Sequence, residues 1–179
     1  MKVVDLVTHT SGLTYGFMSR TSVDAAYREC NLGDHQTPGG LDEFIEQLSQ
    51  LPLDFSPGEN WNYSVSIDVM GYLVQKLSGQ SFGEFLRTRI FEPLGMTDTA
   101  FYVPSEKIDR FTSCYFPSPD GGLGLQDDAG DSSYALPPKL ESGGGGLVST
   151  TADYLRFCQM MLNRGSLDGA RILSPKTVA

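Results

Sequence analysis

Cysteine, histidine and tryptophan are scarce in this chain: Cys30, Cys114 and Cys158, His9 and His35, and Trp61 are the whole complement in 179 residues. The cysteines are odd in number, far apart and without C-x-x-C or Cys/His ligand spacing, which excludes a disulfide framework and a zinc site. No motif for any other metal or for an organic cofactor takes their place. Cationic residues are few as well, 13 Lys and Arg against 22 Asp and Glu, for a formal charge of -9 with no basic run. Nucleic acid is thereby excluded as a partner, because its binding is dominated by cationic contacts to phosphate. The acidity reads as a solvated surface. No apolar run approaches the length of a membrane span, so no membrane partner is expected. The start, Met1-Lys2-Val3-Val4-Asp5-Leu6, is interrupted by Asp5 and His9 before a signal-peptide core can form.

What is present is ordinary globular composition, 40% apolar and 20% charged, in a chain long enough for one domain with a core. Leu41, Phe44, Ile45, Leu48 and Leu51 fall at helical spacing before Pro52, which stops the helix. Residues 64–78 repeat the pattern with Ile67, Met70, Val74 and Leu77 on one stripe, Asp68 in the first turn and Gly79 as C-cap. A third helix from Ser81 turns Phe82, Phe85, Leu86 and Ile90 inward and ends before Pro93. A fourth, from about Thr151 to Asn163, places Tyr154, Leu155, Cys158, Met161 and Leu162 on its apolar stripe, with Gly165 beyond its end. Between these two lies a Gly-, Pro-, Ser- and Asp-rich stretch, in which residues 111–116 and 123–126 are expected to pair around Pro119-Asp120-Gly121-Gly122. Ser142-Gly143-Gly144-Gly145-Gly146 is a loop whose backbone takes unusual dihedrals or approaches something closely. Ser174 and Pro175 suit the cap and first position of a helix. The sequence stops as that helix begins, so a truncation is expected there.

Few residues are placed for chemistry. Gly79-Gln80-Ser81-Phe82-Gly83 matches G-x-S-x-G, but a nucleophile elbow needs a strand entering the turn, and here a helix enters it. Ser81 followed by Glu84 is instead a capping box. His9, in Thr8-His9-Thr10-Ser11-Gly12, is read as a ligand of the backbone in the turn after a short helix rather than a general base. His35 is read as a solvated loop residue. Tyr63, approached through Ser56-Pro57-Gly58 and followed by a helix, is a candidate for proton transfer, the alternative being an aromatic that pins the helix start. Trp61 is read as packing beside it.

Four segments in order carry a family resemblance: Leu6-Val7-Thr8-His9-Thr10-Ser11-Gly12-Leu13, Ser56-Pro57-Gly58-Glu59-Asn60-Trp61-Asn62-Tyr63-Ser64, Phe91-Glu92-Pro93-Leu94-Gly95-Met96 and Gly144-Gly145-Gly146-Leu147-Val148-Ser149-Thr150. Their order and spacing resemble the class C β-lactamase family, with its family VIII carboxylesterases and D-amino-acid-specific peptidases. The resemblance spans nearly the whole chain. It implies an α+β fold, here mainly the helical region of a β-lactamase/transpeptidase-like fold with short hairpins and most of the main sheet missing. Residues 1–179 would then be a partial domain, an internal piece.

The resemblance further implies a small-molecule ester or β-lactam substrate, an acyl-enzyme, and Tyr63 as the base that takes the proton of a nucleophilic serine. A phenol, which ionises near pH ~10 in water, acts as a base only beside cations or a helix N-terminus. Of the family's motifs S-x-x-K, Y-x-N and K-T-G or H-x-G, only the second is matched. The residues three before Lys76, Lys107, Lys139 and Lys176 are Leu73, Pro104, Leu136 and Leu173, so S-x-x-K is absent and the chain alone is expected to be inactive. Val65 stands where the family's Asn would contact a substrate amide, which tilts the reading toward esters. Val65 is therefore a candidate for the substrate pocket, as are Tyr15, Gly144 and Gly145; for Tyr15 and the glycines a purely structural role is the alternative. An orphaned helical layer exposes apolar surface, so self-association is expected. The rival to a hydrolase segment is a non-catalytic binding or scaffold module built on the same fold.

Overall fold

A computed structural model describes residues 1–33 and 39–179, so His35 lies outside the described residues. The chain divides into two compact units, residues 1–85 with 139–146, and residues 86–138 with 147–179.

The first unit is helical. Helices α1 (Val3–Val7), α2 (Ser22–Glu29), α3 (Leu41–Leu48), α4 (Ser66–Ser78) and α5 (Phe82–Leu86) belong to it, with a 3-10 turn at Gly16–Met18. Its core gathers Leu6, Leu13, Tyr27, Leu41, Phe44 and Val65, and each buried side chain of this size contributes about 1.5–3 kcal/mol. Sequence spacing anticipates α3, whose Leu41, Phe44 and Leu48 are buried. It does not anticipate α2, which begins with Thr21 accepting the Asp24 amide at 3.2 Å, a Thr-x-x-Asp capping arrangement. Helix α4 starts two residues later than expected and ends at Gly79, in the left-handed region at φ 71°, as a C-cap glycine should.

The face that α4 buries differs from the expected stripe. Ser66, Asp68 and Gly71 are buried, whereas Leu77 is 86% exposed. Gly71 lets the Phe82 ring approach to van der Waals distance, and Asp68 is buried because it finds hydrogen-bond donors. The side of the helix that meets its neighbours is thus set by a small residue and a satisfied polar one. At the start of α5 the Ser81 hydroxyl accepts the Glu84 amide at 3.2 Å, the cap the sequence suggested.

The second unit opens at Leu86, the last residue of α5, and Arg87–Phe91 is a wider π-type turn that stops before Pro93. Strands β1 (Cys114–Pro117) and β2 (Leu123–Asp127) pair antiparallel around a turn closed by Ser118 N to Gly122 O at 2.9 Å. The hairpin falls where it was expected, although residues 111–113 lie outside it. Helix α6 (Thr151–Leu162), a second hairpin of β3 (Ser166–Leu167) and β4 (Ala170–Arg171), and α7 (Pro175–Val178) complete the unit. Its core is Phe91, Leu94, Met96 and Met160.

Helix α6 corrects another expectation. Met160 and Asp153 face inward, while Tyr154 is 64%, Leu155 61% and Leu162 77% exposed. The side of α6 that is buried carries Asp153, which accepts the Asp98 amide at 2.7 Å and the Thr99 hydroxyl at 2.9 Å. Asp98 in turn pairs with Lys107 and Arg110, each at 2.8 Å. Hydrogen bonds from Arg110 and then Lys107 hold its carboxyl down at about 2.

Candidate active site

The site lies within the first unit, where residues 60–65 run beside residues 9–14. Two backbone hydrogen bonds bracket Tyr63: Asn62 N to His9 O at 2.9 Å and Val65 N to Thr14 O at 3.3 Å. The buried Asn62 side chain locks the approach, donating to Leu13 O at 3.1 Å and accepting from Arg20 at 2.5 Å. Beneath the tyrosine runs a buried line of hydroxyls, Ser11 to Ser66 at 2.7 Å and Ser66 to Ser64 at 2.7 Å. Its end at Ser64 meets His9 Nδ1 at 3.3 Å. Tyr63 therefore stands on a backbone fixed from both sides, one turn ahead of α4, and the residue is 42% exposed.

His9 is not bound as expected. Its backbone takes φ 56°, and its ring meets the Ser64 hydroxyl and the aromatic rings of Tyr63 and Trp61 rather than the turn backbone. The Tyr63 ring lies 5.1 Å from His9 and 5.2 Å from Tyr15, centroid to centroid. Trp61, expected to pack beside the site, touches His9 edge-on at 6.2 Å yet is 66% exposed.

Tyr15 is buried, and its hydroxyl lies against the Asp68 carboxylate and the Tyr63 phenol. Burial first, then the Asp68 charge and Tyr63, push its phenol well above the ordinary range. Asp68, on the first turn of α4, accepts from the Ser142 hydroxyl at 2.5 Å and the Gly144 amide at 3.2 Å. Ser142 Oγ itself accepts the Gly144 and Gly145 amides at 3.2 and 3.1 Å. One carboxylate thus ties the glycine loop to α4 and stands beside Tyr15.

The loop needs its glycines unequally. A Cβ on Gly143 would fall 2.2 Å from the Ile67 carbonyl oxygen, and one on Gly144 would sit 3.0 Å from both Asp68 Oδ2 and Tyr15 Oη. Gly145 has open space around it. Tyr15 and Gly144 are accordingly brought together at Asp68, Tyr63 joins them through its contact with Tyr15, and Gly145 sits on the exposed shoulder of the loop. Val65 differs from its expected place. It is 0% exposed, caps α4 and packs in the core, with its Cγ1 against the Gly33 backbone. A valine at the cap position has no hydrogen-bonding side chain to turn outward, so the core takes it. Asp68 was read only as a helix-dipole residue; the nearest sequence signal for its role was a carboxylate on an apolar helix face. Among the described residues no group of three His, Cys, Asp or Glu side chains is placed to hold a metal ion.

This arrangement of a bracketed, half-exposed tyrosine and a glycine loop pinned to the following helix sits in a chain whose residues 1–179 match the family model described as Beta-lactamase. The chain belongs to the beta-lactamase family. Protein Rv1367c of Mycobacterium tuberculosis is 38% identical over 176 residues, 98% of this chain and 42% of the relative. Lovastatin esterase of Penicillium rubens is 32% identical over 164 residues, 90% of this chain and 40% of the relative. Among solved structures, EstCE1, described as a hydrolase with promiscuous acyltransferase activity, superposes with a TM-score of 0.81 at 25% identity, covering 99% of this chain and 49% of that one. The chain thus spans less than half the length of these relatives. The likeness extends to the α+β architecture of helices with two small antiparallel sheets.

Proposed function

We propose that these residues supply the tyrosine-bearing part of an acyl-transfer site that hydrolyses small-molecule carboxylic esters, as a partial domain whose nucleophilic serine and lysine lie on sequence outside residues 1–179. In the first half-reaction the Tyr63 oxygen accepts the serine proton while the serine oxygen bonds to the ester carbonyl carbon. The tetrahedral intermediate then breaks the bond to the alcohol, which leaves with the proton returned by Tyr63. Water repeats the sequence on the acyl-serine and releases the acid. Proton transfer by a positioned side chain of this kind is worth about 10²- to 10⁴-fold.

The observation that carries the reading is the setting of Tyr63. Its backbone is clamped on both sides, and the residue is open to solvent over nearly half its surface. A tyrosine serving only to pin α4 would gain by burying that surface. The esters are favoured over β-lactams by the esterase names borne by two relatives, each 32% identical. The test is turnover of p-nitrophenyl butyrate by the protein expressed with its flanking coding sequence. Tyr63→Phe should lower kcat by about 10²- to 10⁴-fold with KM little changed. Residues 1–179 alone should show neither burst nor turnover. Equal turnover in the variant would remove Tyr63 from the reaction, and a parent without turnover would favour the scaffold reading.

The apolar faces left open on α1, where Val3, Val4 and Val7 are each more than half exposed, and on α6 support self-association of the isolated chain. Sedimentation velocity across a concentration series should show a rising weight-average mass; a constant monomer mass contradicts it.

A further inference from the structure

Five rings touch in sequence: Phe17 on Tyr15 at 4.8 Å, Tyr15 on Tyr63 at 5.2 Å, Tyr63 on His9 at 5.1 Å and His9 on Trp61 at 6.2 Å. The middle of the series is anchored, with Tyr15 buried and His9 bonded to Ser64. Its two ends are the most exposed aromatics of the first unit, Trp61 at 66% and Phe17 at 64%. Scattered exposed rings need no explanation, but here both end one series of touching rings, whose exposed members Phe17, Tyr63 and Trp61 form an aromatic surface interrupted by buried Tyr15. The successive interplanar angles, 19°, 43°, 46° and 66°, break that surface into facets. A single flat group cannot cover it, whereas two groups joined at a short linker above Tyr63 can.

We infer that Phe17 and Trp61 are specificity-determining residues, each offering a ring to one arm of an ester that carries flat apolar groups on both its acyl and its alcohol side. The inference rests on the reading of Tyr63 as the acyl-transfer residue, since that reading places the carbonyl between the arms. Phe17, stacked on the buried Tyr15, presents a rigid face. Trp61 lies T-shaped against His9 and is two-thirds exposed, which leaves most of its surface free to stack. Neither ring is clamped by a hydrogen bond of the site, so each can be truncated without disturbing Tyr63.

Trp61 is the only tryptophan, so its indole N–H gives a single signal in an ¹H–¹⁵N spectrum of the chain. Titration with benzyl 4-hydroxybenzoate, aromatic on both sides of the ester, should move that signal along a saturable curve. Ethyl butyrate should bind at least about tenfold more weakly. Phe17→Ala should weaken the aromatic ester by about three- to tenfold, the value of one aromatic pair, with the dispersion of the other amide signals showing that the fold is intact. No saturable shift, equal affinity for the two esters, or undiminished binding by Phe17→Ala would each overturn the inference, whatever Tyr63 does in turnover. Intact turnover by Tyr63→Phe would overturn the acyl-transfer reading and leave the binding result standing.

Discussion

The Asp68 carboxylate accepts the Ser142 hydroxyl at 2.5 Å across 74 positions of sequence. That contact decides where the glycine loop sits, because the same carboxylate takes the Gly144 amide and faces the Tyr15 hydroxyl. Asp68 is only 3% exposed, so its removal strands these donors without water to replace it. Asp68→Ala should lose about 1.5–3 kcal/mol in urea unfolding, the value of hydrogen bonds to a charged group. Amide exchange at Gly144 and Gly145 should accelerate at the same time. A loss below about 0.5 kcal/mol, within the range of neutral surface changes, would mean that the loop is held by something else.

The raised phenol of Tyr15 makes stability fall at alkaline pH. In the unfolded chain a tyrosine ionises near pH ~10, while burial keeps Tyr15 protonated above that in the folded state. The folded state then binds more protons than the unfolded one, so the derivative of stability with pH is negative there. The contribution is fully present below about pH 10 and is lost as pH rises toward the folded value. Tyr15→Phe should flatten the decline of Tm above about pH 10. It should not abolish it, because burial raises Tyr27 in the same direction. An unchanged alkaline slope in the variant contradicts the placement of Tyr15.

Alanine at neighbouring glycines should give opposite results. Gly143→Ala drives a Cβ to 2.2 Å from the Ile67 carbonyl oxygen, and backbone against backbone cannot give way cheaply. A loss of about 1–3 kcal/mol is expected, the usual cost of overpacking. Gly145→Ala meets open space and should be neutral or stabilising by up to about 1 kcal/mol. Paired thermal melts read the difference, and equal melting temperatures would contradict the loop geometry.

Much of this was legible in the sequence where the signal is local. The Ser81 cap, the turn at Gly121 and the Ser174-Pro175 helix start depend on residues within a few positions of one another, and each formed. Local signals were also overlooked: Thr21-x-x-Asp24 announces α2, and Asp168-Gly169, both at positive φ, closes the β3–β4 hairpin as an Asp-Gly turn does. The position of Tyr63 just ahead of α4 was legible through its Pro-Gly approach and the helix that follows. What was not legible was orientation. Apolar spacing named one stripe on α4 and one on α6, and the buried side of each was instead chosen by Asp68 and Asp153, polar residues whose partners lie far away in sequence. Val65 misled for the same reason, since a residue type does not reveal whether it points to the core or outward.

The most direct test of the central claim is kcat for p-nitrophenyl butyrate in Tyr63→Phe, measured in the protein carrying its flanking sequence. Loss of about 10²- to 10⁴-fold, with unchanged KM and melting temperature, is the predicted result. Turnover within about threefold of the parent, with the phenol gone and the ring retained, would contradict it.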